Sequence, residues 1–62
     1  MKTNQTEVVL VHYTKKNYYE VACRDLDFVV AVDTLEDAGR ELVDFIKQNP
    51  MRIFTVKMEY VE

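Results

Sequence analysis

Only one stretch of this chain sets its apolar residues at helical spacing. Leu35, Ala38, Leu42, Phe45 and Ile46 form a single stripe within residues 34–48. The other apolar segments are short runs or strict alternations, the patterns of β-strands. A chain with one helix and several strands must close its core by laying that helix on a sheet.

Glu7 to Tyr13 holds the β-forming run Val8-Val9-Leu10-Val11, which suits a strand buried on both faces. Thr14-Lys15-Lys16-Asn17 reads as a hairpin loop, because Asn tolerates the left-handed conformation. Tyr18 to Arg24 is the returning strand, with Tyr19, Val21 and Cys23 on one face and Tyr18, Glu20, Ala22 and Arg24 on the other. Asp25-Leu26-Asp27 forms a second turn, and Phe28 to Val32 a third strand. The helix begins at Asp33-Thr34-Leu35-Glu36. Asp33 with Glu36, or Thr34 with Asp37, supplies the cap. It runs to about Gln48 and stops at Asn49-Pro50. Gly39, on the edge of the stripe, is expected to let the helix approach the sheet closely, since a mid-helix glycine otherwise costs about 1 kcal/mol. Met51 to Val61 is a last strand, with Phe54, Val56, Met58 and Tyr60 on one face. The expected fold is therefore α+β in the order β-β-β-α-β: a three-stranded antiparallel meander, one helix on one face, and a final strand returning to the sheet. Residues 1–62 are expected to make a single domain.

With 62 residues, the core is small and needs either a staple or self-association. One cysteine, Cys23, excludes an internal disulfide, and His12 and Cys23 are the only strong candidate ligands for a metal. A homodimer, joined through the apolar last strand, is the expected remedy. The polar start Met1-Lys2-Thr3-Asn4-Gln5-Thr6-Glu7 is unlike a signal peptide, and no apolar run approaches the ~20 residues of a membrane span. The expected location is cytoplasmic.

Catalysis needs several convergent groups, and the sequence does not supply them. His12 is the single histidine, and Gly39 stands alone, so there is no phosphate loop. Asp25, Asp27 and Asp33 are better explained as turn formers and a helix cap than as ligands of Mg²⁺. Lys15 and Lys16 lie among Tyr13, Tyr18 and Tyr19, but no basic stripe continues from them, so direct nucleic-acid binding is not expected. No enzyme activity and no cofactor are expected.

The charge is uneven. Residues 25–49 carry seven acids against Arg40 and Lys47. The outer side of the helix holds Glu36, Asp37, Glu41 and Asp44 with Arg40 between them, a face suited to a basic protein. Tyr13, Tyr18 and Tyr19 are the other candidate contacts, because tyrosine supplies rigid amphipathic area at interfaces.

Val8-Val9-Leu10-Val11, Tyr18-Tyr19-Glu20-Val21-Ala22, Asp25-Leu26 and, above all, Asp33-Thr34-Leu35-Glu36-Asp37-Ala38 resemble the HicB antitoxin family. The match departs at Val32, where the family has Gly, and at Arg24 and Asp27-Phe28, where it has Pro and Gly-Cys. The resemblance implies a degenerate ribonuclease H-like β-β-β-α-β domain that blocks a small basic toxin ribonuclease. Many members add a DNA-binding domain, which is not expected here. The alternative is a phage-encoded inhibitor of a bacterial defence nuclease, of the anti-CRISPR type, by analogy of size, acidity and architecture. Either reading makes the chain a stoichiometric blocker of a basic protein.

Overall fold

The computed structural model describes residues 5–62, so the polar start at residues 1–4 lies outside the described residues. Strand β1 spans Gln5–Tyr13, β2 Tyr18–Cys23, β3 Phe28–Val32, helix α1 Leu35–Lys47 and β4 Ile53–Val61. The order β-β-β-α-β is the one expected from the sequence. The strands form one mixed sheet in the order β3-β2-β1-β4. The first three make an antiparallel meander, and β4 returns beside β1 and parallel to it.

Local chemistry sets the turns. Asn17 has φ 57° and Asp27 φ 55°, the left-handed conformation that short polar side chains tolerate. Their amides close the two hairpins on the carbonyls of Tyr13 (2.8 Å) and Arg24 (3.2 Å). Of the two possible helix caps, Thr34 is the one used. Its Oγ accepts the Asp37 amide at 3.1 Å, and the acids of the first turn suit the helix dipole. At the other end, the Asn49 side chain donates to the Phe45 carbonyl at 2.8 Å, and Pro50 follows.

The core lies between α1 and the sheet. Val8, Leu10, Val21, Cys23, Ala38 and Phe45 are buried together, with Tyr19, Leu26, Phe28, Val30, Val32, Leu42 and Phe54 packed around them. Phe45 anchors it, stacked on Phe28 with centroids 4.2 Å apart and edge-on to Phe54 at 5.5 Å. The buried thiol of Cys23 is part of this packing.

Two expectations about the helix are corrected. Leu35 does not join the core. It is 52 % exposed, because it opens the first turn at the end of the sheet. Gly39 gives no close approach either: a Cβ built there would meet nothing within 4 Å. Gly39→Ala is therefore expected to stabilise the domain by about 0.5–1 kcal/mol, through helix propensity and a less free unfolded chain. A thermal melt that falls on this substitution would mean that the site is more crowded than the geometry indicates.

Candidate partner-binding surfaces

Helix α1 lies over β2 and β3. That position divides the surface into three regions that could meet a partner, and the residues singled out in the sequence are distributed among them.

The first region is the outer side of α1. Arg40 bridges Glu36 at 3.9 Å and Asp37 at 3.3 Å, pairs that stand four and three residues apart along the helix. Asp37 is thus committed twice, its amide to the cap and its carboxylate to Arg40. Glu41 and Asp44 have no ion pair among the described residues. Two of the four acids therefore carry charge that the helix itself does not compensate.

The second region is the sheet face that points away from α1. Tyr13 and Tyr18 sit there as a directly opposed pair, stacked at 4.7 Å and 9°. The Tyr13 hydroxyl donates to Glu20 Oε1 at 3.2 Å. Partial burial, and next the Glu20 carboxylate, hold the Tyr13 phenol above its ordinary pKa, so it remains a donor. Further along this face a depression of about 460 Å³ is lined by Glu7, Val9, Ala22, Arg24, Asp25 and Glu59, among others. Its charges are of both signs, so it selects no class of ligand.

The third region lies on the helix side of the sheet around His12, at the ends of β1 and β2 and along the exposed part of β4. Tyr19 belongs here, apart from the other two tyrosines, because side chains alternate along β2. Its ring stacks on His12 at 4.3 Å, and Tyr60 meets His12 edge-on at 5.9 Å. His12 is thus held by aromatic packing, with one ring nitrogen 3.4 Å from Asn17 Oδ1. Beside this cluster Val56, Met58 and Tyr60 are 45, 53 and 69 % exposed. The sequence places them on the core-facing side of the last strand. A signal for their exposure was nonetheless present, since one helix of 13 residues is too narrow to cover four strands.

Among the described residues, no group of three His, Cys, Asp or Glu side chains lies close enough to hold a metal ion. Nor, among these residues, is any helix long and apolar enough to cross a membrane. Compared with protein-family models, curated proteins and solved structures, the chain matches none.

Proposed function

We propose that this chain is a non-catalytic, cofactor-free cytoplasmic inhibitor that binds a basic protein, of the HicB-like antitoxin type, and blocks it stoichiometrically. The observation that carries this reading is the outer side of α1. Among the described residues, Glu41 and Asp44 form no ion pair there, next to Glu36 and Asp37, which share Arg40. A helix selected only for its own stability gains from pairing its charges, and Asp37 and Glu41 are instead like charges four residues apart. Uncompensated acids on a rigid helix speed association with a positive surface such as that of a nuclease. The stacked Tyr13–Tyr18 pair offers a second, rigid contact on the far side of the sheet. The same acidic face suits a phage-encoded inhibitor of a defence nuclease, and the identity of the captured protein separates the two readings.

The test uses the tagged full chain to capture its partner from host lysate at low and at raised salt. A basic nuclease is expected at low salt and not at high salt, since exposed charges are screened over about 8–10 Å at physiological ionic strength. The double substitution Glu41→Lys and Asp44→Lys leaves the Arg40 pairs in place. It is expected to keep the fold by circular dichroism and to weaken the complex by tenfold or more, of order 1.4 kcal/mol or more. Undiminished capture by this variant would reduce the acidic face to a solvated surface. Tyr13 and Tyr18 would then be the next residues to replace.

A further inference from the structure

We infer that the free edge of β4 pairs antiparallel with β4 of a second copy, about a two-fold axis through Met58, to give a continuous eight-stranded sheet. The inference is independent of the acidic helix face.

The sheet has two edges of unequal kind. At one end β3 offers only Phe28–Val32, a short edge of the sort that resists pairing. At the other end β4 offers Ile53–Val61, nine residues with no proline and an unbroken register against β1. The Val61 carbonyl accepts the Thr14 amide at 2.8 Å, so the odd-numbered residues of β4 turn their backbone groups toward β1. The N–H and C=O groups of Phe54, Val56, Met58 and Tyr60 therefore face the open edge. The side chains of Val56, Met58 and Tyr60 are exposed as well, on the helix side that α1 leaves uncovered. A long edge with an apolar flank is what another chain would seek.

The charges of β4 select the occupant and the register. With Met58 opposite Met58 of the second copy, Lys57 stands opposite Glu59 on both sides of the axis. Val56 then opposes Tyr60 twice, a β-branched–aromatic pair. Even-numbered residues make the hydrogen-bonded pairs. Lys57 and Glu59 therefore occupy non-hydrogen-bonded positions, where Cα atoms approach to about 4.5 Å and side chains meet most closely. Sliding the strands by two residues sets Lys57 against its own copy in one direction and Glu59 against its own copy in the other. Among two-fold registers within β4, only the one centred on Met58 places opposite charges face to face. Within one copy Lys57 already holds Glu7 at 3.2 Å, whereas Glu59 has no ion pair among the described residues. The second copy supplies Glu59 with its cation and Lys57 with a second carboxylate.

The test is a charge exchange, read by sedimentation and native mass spectrometry on the full chain. Wild type is expected to run as a dimer at high micromolar concentration. Lys57→Glu and Glu59→Lys each place like charges opposite at both symmetric positions, and each is expected to weaken the dimer about tenfold or more. Mixed in equal amounts, the two variants are expected to form a heterodimer. One strand then carries acids at both positions and the other carries lysines at both, so opposite charges meet on each side of the axis. Met58→Pro removes an amide from the free edge and spares the ladder to β1. It is expected to give a folded monomer. A monomeric wild type, single variants that dimerise as wild type does, a mixture that forms no heterodimer, or a dimer unaffected by Met58→Pro would each overturn the proposal.

Discussion

Phe45→Ala is expected to unfold the domain at moderate temperature. Phe45 is only 6 % exposed and is held between Phe28 and Phe54, so it joins the helix to the first residue of β3 and to the start of β4. Truncating a buried phenylalanine costs about 3–5 kcal/mol through lost transfer energy and the cavity that remains. A core of this size supplies only about 3–5 kcal/mol in all, so nothing is left to hold the native state. Leu42→Ala should be milder, near the lower end of the ~2–5 kcal/mol range, because Leu42 is only partly buried at the margin of the same cluster. Circular dichroism melts of both variants check this. A Phe45→Ala protein that melts within a few degrees of wild type would show that the three rings are not the keystone of the core.

Arg52→Ala is expected to cost about 1–3 kcal/mol although the arginine itself is exposed. The Thr6 side chain is only 2 % exposed, and its Oγ accepts from an Arg52 guanidinium nitrogen at 2.9 Å. Removing the arginine leaves that hydroxyl without the charged donor it has in the fold. Thr6→Val removes hydroxyl and requirement together and should be nearly neutral by comparison. The double variant Thr6→Val with Arg52→Ala should therefore be more stable than Arg52→Ala alone. Chemical denaturation of all four proteins measures the coupling, and additive losses would show that the bond is incidental. The pair links β1 to the segment that delivers the chain into β4, and its partners stand 46 residues apart. Nothing in the sequence pattern of either segment announces it.

The contrast holds for the rest of the molecule. Element types and their order were legible in the sequence because strand alternation, helical spacing, caps and turn residues act over a few neighbouring residues. Asn17 in its left-handed turn, Thr34 at the helix cap and the alternation of Tyr18 and Tyr19 between two faces follow from chemistry that is local to the chain. Which elements lie side by side is a different matter, set by how the whole sheet is ordered and where the helix comes to rest on it. Only the tertiary structure placed β4 outside β1 and α1 over β2 and β3. That lateral offset exposes Val56, Met58 and Tyr60. It also separates the tyrosines that lie close together in sequence, so that Tyr13 and Tyr18 face one side of the sheet and Tyr19 joins His12 and Tyr60 on the other. Periodicity determines which face a side chain occupies, but whether anything covers that face depends on a second element arriving from far along the chain.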